Sequence, residues 1–220
     1  PQVVSVNLQK RKKTSKKYIF PNKCLCGSII QKEFNLSTKK EDAVRRCNKG
    51  YDCSFIAKER LKHIVSKEAF NINGLGKKVI DQFWKLNFIK KPSDIFELDF
   101  DKIKKLEGWG DLSVENLKTA IDQAKNISLN RFIYAIGVRH IGQENAKILA
   151  SFFKSANQFA YILKQAHRDD ILKNLNDLDG IGETQISSIK NFFNKNKNVE
   201  IVQKLITKLN IQDFKGTNVK

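Results

Sequence analysis

Long apolar runs are missing from this sequence. No stretch of the 220 residues approaches the ~20 consecutive apolar residues that a membrane-spanning helix needs, and no apolar signal segment stands at the N-terminus. Cysteine is also scarce, because four cysteines in a chain of this length are too few for a secreted scaffold held by disulfides. These absences predict a soluble protein of the cytoplasm that has no membrane partner.

Acidic residues are few beside the basic ones. There are 23 Asp and Glu against 41 Lys and Arg, so the formal net charge is +18. Such an excess predicts a polyanionic partner. Nucleic acid is favoured over an anionic membrane, since no basic amphipathic stretch stands apart from the core pattern. The hydrophobic content of 40%, with 15 Phe, is enough for a packed core and excludes wholesale disorder.

The four cysteines form two close pairs. Cys24 and Cys26 are separated by 20 residues from Cys47, which is followed by Cys53. Two pairs joined by a loop are typical of a tetrahedral structural Zn²⁺ site, in which four thiolates leave no open position for catalysis. The alternative is four reduced thiols without a metal, because the Cys-x-Cys pair is tighter than the usual Cys-x₂-Cys. His63 is interpreted as helix surface and not as a ligand.

Glycines recur in a pattern that repeats along the chain. Three Gly-x-Gly pairs, each with an apolar residue between the glycines, are Gly74-Leu75-Gly76, Gly108-Trp109-Gly110 and Gly180-Ile181-Gly182. A further copy, with its first glycine replaced, is Arg139-His140-Ile141-Gly142. The last glycines of the four copies are 34, 32 and 40 residues apart, and each copy precedes a helix-patterned run. The chain therefore contains an internal repeat of helix, tight turn and helix.

This repeat is typical of a phosphate-binding turn. Glycine leaves no Cβ in the way of a ligand, and the N–H groups at the start of the second helix form an anion site that the helix dipole strengthens. A dinucleotide-binding fold is excluded, because no strand precedes the glycines and the third glycine is missing. The alternative for any one copy is a turn that needs glycine for steric reasons alone. The predicted phosphate-binding residues are Gly74, Gly76, Lys77, Lys78, Gly108, Gly110, Ser113, Arg139, Gly142, Gly180 and Gly182.

The domain organisation follows from these patterns. We expect a mainly α-helical protein whose residues 59–212 form a compact helical domain with four such motifs. Residues 20–58 form a small finger around the cysteines. Residues 1–19 begin with the alternation of a final sheet strand and continue as a basic linker. The polar residues 213–220 are interpreted as a linker to a further C-terminal domain.

The order of these features resembles the C-terminal part of bacterial NAD⁺-dependent DNA ligases. The resemblance rests on residues 20–28, 46–53, 63–76 and, above all, Phe132-Ile133-Tyr134-Ala135-Ile136-Gly137-Val138-Arg139-His140-Ile141-Gly142. It implies that residues 1–19 contain the end of an OB-fold, that the cysteines hold structural zinc, and that four helix-hairpin-helix motifs hold the backbone of double-stranded, preferably nicked, DNA. The full enzyme joins nicks during replication and repair in the bacterial cytoplasm, at the nucleoid.

The sequence also departs from that family. The Lys-x-Asp-Gly motif whose lysine accepts AMP is missing, as are the NAD⁺-binding region and the BRCT domain. We therefore predict no catalytic residue here and no activity of this chain alone. NAD⁺ and Mg²⁺ would serve only the full-length enzyme, in which this chain acts as part of a monomer with the rest of the ligase. The alternatives are a DNA glycosylase and a non-enzymatic repair scaffold.

Overall fold

The computed structural model describes residues 4–35 and 39–216. The strand expected at residues 1–6 lies half outside the described residues, since the description begins at residue 4. Residues 4–7 belong to no described helix or strand, and Leu8–Lys10 form a 3₁₀ turn. The linker expected at 213–220 is described only as far as residue 216.

The cysteine segment forms a small β-hairpin finger. Strand β1 (Ile30–Asn35) pairs antiparallel with β2 (Lys40–Cys47), and the register shifts between Lys32 and Phe34. A 3₁₀ turn at Gly50–Asp52 then leads into the first helix. The finger buries few large apolar side chains, because Leu25, Ile29, Phe34 and Val44 are all exposed. A segment of this size without a core needs a metal or another cross-link to hold it together.

The rest of the protein is helical, as predicted, and helices make up 54% of the chain. The helices are α1 (Ser54–Ile64), α2 (Lys77–Lys85), α3 (Phe100–Lys104), α4 (Asp111–Ala124), α5 (Leu129–Ala135), α6 (Gln143–Phe153), α7 (Ala156–Ala160), α8 (Gln165–Leu175), α9 (Glu183–Phe193) and α10 (Asn196–Lys208). Further 3₁₀ turns lie at Pro92–Glu97 and Tyr161–Leu163. One hydrophobic core extends from Leu61 to Leu209. Its largest fully buried side chains include Phe83, Phe132, Phe159 and Phe193.

A short parallel strand pair closes this helical domain. Strand β3 (Asn126–Ser128), between α4 and α5, pairs with β4 (Asn210–Gln212), which follows α10. The N–H of Asn210 donates to the Lys125 carbonyl at 2.9 Å, and the N–H of Phe214 donates to the Lys154 carbonyl at 2.8 Å. The sequence pattern did not predict this pair. It ties the C-terminal end of the domain to its middle.

Candidate nucleic-acid interface

The four repeats have the same turn geometry. In each, the N–H of the apolar residue before the last glycine donates to the carbonyl three residues earlier, at 3.1–3.3 Å. The donor and acceptor pairs are Leu75 and Ile72, Trp109 and Leu106, Ile141 and Val138, and Ile181 and Leu178. We name these turns hairpin 1 (residues 72–76), hairpin 2 (106–110), hairpin 3 (138–142) and hairpin 4 (178–182). The repeat read from the sequence is therefore a structural repeat.

The first glycine of each repeat is required by its backbone angle. Gly74, Gly108 and Gly180 have φ of 82–85°, a left-handed conformation that side chains with a Cβ rarely adopt. Hairpin 3 has His140 at this position, with φ of 59°. A non-glycine residue there costs about 1–2 kcal/mol. His140 also approaches Ser188 of α9, with Nδ1 2.9 Å from the serine Oγ, and this contact holds the turn from outside.

The second glycine of each repeat is not required by the fold. These residues cap the following helices with φ between −73° and −106°, which any residue adopts. A Cβ built on them meets nothing closer than 3.5 Å, and all four are exposed. Gly142 is therefore not needed for the turn itself, because its φ of −83° is ordinary. The absence of a Cβ leaves open space in front of each helix N-terminus.

The helix N-termini differ in how their N–H groups are satisfied. Gly76, Gly110 and Gly142 are the N-cap residues of α2, α4 and α6. Among the described residues, no side chain forms a capping hydrogen bond at these three helix starts. In hairpin 4, the N–H of Gly182 donates to the Gln185 side-chain oxygen at 3.2 Å. An anion can therefore reach the N–H groups of hairpins 1–3 directly, whereas in hairpin 4 it must compete with Gln185.

Charge is also distributed unevenly over the hairpins. Lys77 and Lys78, both exposed, are the first two residues of α2, and they form no ion pair with any residue that the structure describes. By contrast, the first turns of the other three helices carry acidic residues: Asp111, Glu144 and Glu183. Lys104 pairs with the first of these, and Lys147 pairs with the second at 2.7 Å. Hairpin 1 therefore combines open N–H groups with the strongest local positive charge.

Two of the predicted residues have additional neighbours. Ser113 is the third residue of α4 and lines an open groove between hairpins 1 and 2, together with Gly74, Gly108 and Trp109. The Arg139 guanidinium lies against the carboxylate of Glu33 on β1. No sequence pattern indicated this ion pair, which brings the finger next to hairpin 3.

Reciprocal contacts join the hairpins in two pairs. Hairpin 2 contacts α2 through Trp109, whose Nε1 donates to the Gln82 side-chain oxygen at 3.4 Å. Hairpin 3 contacts α9 through His140 and Ser188, while Asn145 of α6 donates to the Gly180 carbonyl of hairpin 4 at 2.8 Å. Sequence reasoning missed these contact residues. One signal was present, since Gln82 and Ser188 each lie six residues after the last glycine of their repeat. Hairpin 1 is thus paired with hairpin 2, and hairpin 3 with hairpin 4.

The four cysteine sulfurs converge on one point. The Sγ atoms of Cys24 and Cys53 are 3.8 Å apart, those of Cys26 and Cys47 are 3.7 Å apart, and all four lie within 4.8 Å of one another. A tetrahedral Zn²⁺ with Zn–S bonds of ~2.3 Å separates its sulfurs by about 3.8 Å. The short Cys-x-Cys pair therefore does not prevent convergence, and the cluster could hold a metal ion.

The pKa values of these thiols make metal binding dependent on pH. Hydrogen bonding to Ser28 lowers the pKa of the Cys26 thiol to about 6. Burial raises the pKa of the Cys47 and Cys53 thiols above their ordinary value. A metal ion must therefore displace protons from the buried thiols, so metal affinity is expected to fall as the pH falls.

Comparison with known proteins agrees with this geometry. Residues 131–202, which include hairpins 3 and 4, match the family model of the helix-hairpin-helix motif. The fold and the four turns thus define a protein built on helix-hairpin-helix motifs. The chain is 52% identical over 215 residues to the DNA ligase of Pelagibacter ubique (strain HTCC1062), a match that covers 97% of this chain and 31% of that protein.

Two further relatives give the same result. The DNA ligase of Rickettsia rickettsii (strain Sheila Smith) is 39% identical over 226 residues, covering 99% of this chain and 32% of that protein. The DNA ligase of Rhizobium rhizogenes is 37% identical, covering 97% and 32%. The chain thus corresponds to the C-terminal portion of a DNA ligase and spans about a third of the length of these relatives. In the described part of the chain, no helix is long and apolar enough to cross a membrane.

Proposed function

We propose that this chain holds the phosphate backbone of double-stranded DNA, without reading its sequence, for an NAD⁺-dependent DNA ligase that joins nicks during replication and repair. The observation that carries the proposal is the second glycine of each repeat. The fold does not need glycine at these positions, yet Gly76, Gly110, Gly142 and Gly182 all lack a Cβ in front of an exposed helix N-terminus. A close approach by a ligand accounts for all four.

The chemistry of these turns suits a phosphodiester and not a base edge. The groups offered at hairpins 1–3 are backbone N–H groups, which donate to phosphate oxygens and favour negative charge through the helix dipole. Such contacts fix the position of a duplex but carry no sequence information. Two pairs of hairpins give one chain several phosphate contacts, and a nicked duplex is the substrate that a ligase requires.

The remaining chemistry belongs to the rest of the ligase polypeptide. NAD⁺ would supply the adenylate there and Mg²⁺ would assist its transfer, while this chain binds and positions the duplex. We propose that it does so as part of a monomeric enzyme. Because no described residue of this chain is assigned to catalysis, its measurable activity is DNA binding.

The salt dependence of binding tests this function. If about five phosphates are contacted, log K should fall against log[salt] with a slope of about −4.5. Unrelated duplex sequences should bind with equal affinity in the same titrations. A slope near zero, or a preference of more than tenfold for one sequence, would contradict backbone recognition. A nicked duplex compared with its intact counterpart tests the preference for a nick.

We further propose that the cysteine cluster holds one structural Zn²⁺. Cys53 is fully buried and is the N-cap of α1, so the metal would fix the finger to the start of the helical domain. The variant Cys53→Ser is expected to lose the zinc and to loosen the finger while the far-UV signal of the helices largely remains. Ser28→Ala is the matched control, since it removes a neighbour of Cys26 and no ligand. Metal analysis should find about one Zn²⁺ per chain, and a content near zero in protein purified without chelators would refute the site.

A further inference from the structure

A run of basic residues precedes the finger. Residues 10–17, which we name the basic arm, contain six cations and no acidic residue. These cations are Lys10, Arg11, Lys12, Lys13, Lys16 and Lys17. All are exposed, and none forms an ion pair with a residue that the structure describes. A third of the net charge of +18 is thus concentrated, without neutralisation, in eight residues.

The C-terminal end of the arm leads into a segment that is held on the finger. Arg45 of β2 donates to the Pro21 carbonyl at 3.2 Å, and the N–H of Ile30 donates to the Asn22 carbonyl at 3.0 Å. The chain is therefore held against the finger just after the arm ends. The arm contains a turn, in which the N–H of Ser15 donates to the Lys12 carbonyl at 2.9 Å. If it were fully extended, its eight residues would span up to about 26 Å, the length of between seven and eight base-pair steps of about 3.4 Å each.

Apart from hairpin 1 with Lys77 and Lys78, the hairpins provide donors but little unpaired positive charge. The acidic residues in the first turns of α4, α6 and α9 reduce the positive potential there, and Arg139 is paired with Glu33. Long-range attraction of a polyanion depends on unpaired cations. The arm has the densest group of them in the described chain.

We propose that the basic arm is a second contact with the DNA backbone, separate from the hairpins, and that it supplies much of the electrostatic attraction for the duplex. This inference rests on the proposed function. The arm's lysines and arginine neutralise phosphates as point charges, whereas the hairpins donate hydrogen bonds from their backbone. Loss of the arm should therefore reduce the salt dependence of binding more than loss of a hairpin does.

The test replaces four arm residues in the full chain: Lys12→Gln, Lys13→Gln, Lys16→Gln and Lys17→Gln. The matched control makes the same change at four lysines that are already paired with carboxylates: Lys32, Lys102, Lys125 and Lys208. Both variants lower the net charge by four. We expect the slope of log K against log[salt] to become less steep by about 2–3 in the arm variant, because the wild-type slope of about −4.5 also includes the hairpin contacts, and by less than about 1 in the control.

The outcomes separate this inference from the function on which it rests. A wild-type chain that binds no duplex DNA overturns both. If Gly76→Val weakens binding but the arm variant keeps the wild-type slope, only the arm proposal fails. Equal slope changes in the arm variant and the control would show that total charge matters and the position of the arm does not. Vesicles with 30% phosphatidylserine serve as a second probe, and an arm variant that loses vesicle binding while its DNA slope is unchanged overturns the proposal in favour of a membrane surface.

Discussion

Gly76→Val and Gly142→Val are expected to fold like the wild type but to bind duplex DNA roughly 10- to 100-fold more weakly. Each valine places a branched side chain in front of N–H groups that no described side chain caps. A hydrogen bond from an N–H group to a charged acceptor contributes about 1.5–3 kcal/mol, which corresponds to this range of affinity. The stability cost is small, because both glycines have ordinary φ and a new Cβ has room. Fluorescence anisotropy at fixed salt measures the affinity, and thermal unfolding measures the stability.

Gly182→Val is the control for these two variants. The N–H of Gly182 already donates to Gln185, so hairpin 4 has less to lose as an anion site. We expect its affinity to fall by less than threefold, a loss of about 0.6 kcal/mol or less at 1.4 kcal/mol per factor of ten. If all three variants bind like the wild type, the hairpins serve only to pack helices. If all three lose affinity equally, the self-capping of hairpin 4 has no effect on DNA binding.

The second large effect is expected on stability, from Gly180→Ala. This glycine has a φ of +85°, and a Cβ built on it lies 2.7 Å from Cδ1 of Ile148 on α6. The left-handed conformation alone costs about 1–2 kcal/mol. The contact adds a smaller cost, because Cδ1 is the far end of the Ile148 side chain and can move aside. A loss of roughly 2 kcal/mol in the free energy of unfolding is expected from chemical denaturation, within the range for a strained substitution.

Two alanine variants separate the causes of this loss. Gly108→Ala has the same kind of backbone angle, with φ of +82°, but nothing within 4 Å of the new Cβ, so it measures the backbone cost alone. Gly182→Ala has neither problem and should unfold like the wild type within about 0.5 kcal/mol. If Gly180→Ala were no less stable than Gly108→Ala, the contact with Ile148 would contribute nothing to the stability of the pair.

Much of the fold and the candidate site could be predicted from local sequence. The turn of each hairpin depends on residues within four positions of one another, so Gly74, Gly108 and Gly180 identified it directly. The copy with His140 was also found, because its neighbours keep the pattern. The cysteine spacing predicted a cluster, and the excess of basic residues predicted a polyanionic partner. The hairpin turns agree with the structure because their geometry depends on residues close together in the chain, whereas the polyanionic partner stays a prediction.

Other features depended on the packing of distant segments. The glycine on which the proposed function rests is the second of each pair, and only its φ and surroundings separate it from the first. The capping of Gly182 depends on the rotamer of Gln185. The ion pair of Glu33 with Arg139 joins segments more than 100 residues apart, and no local pattern reaches that far.

The sequence by itself determined the repeat and the pairing of the cysteines, and it predicted the class of site and the sign of the partner's charge. Local backbone preference, cysteine spacing and composition act before the chain is packed, and they are visible in the order of residues. Only the tertiary structure decided which hairpins form pairs, which N-termini remain open, and how four sulfurs meet across a Cys-x-Cys pair. These outcomes depend on which surfaces come into contact. Contacts such as Asn145 with the Gly180 carbonyl, or β3 with β4, bring together residues 35 and 84 positions apart, and no local pattern specifies them.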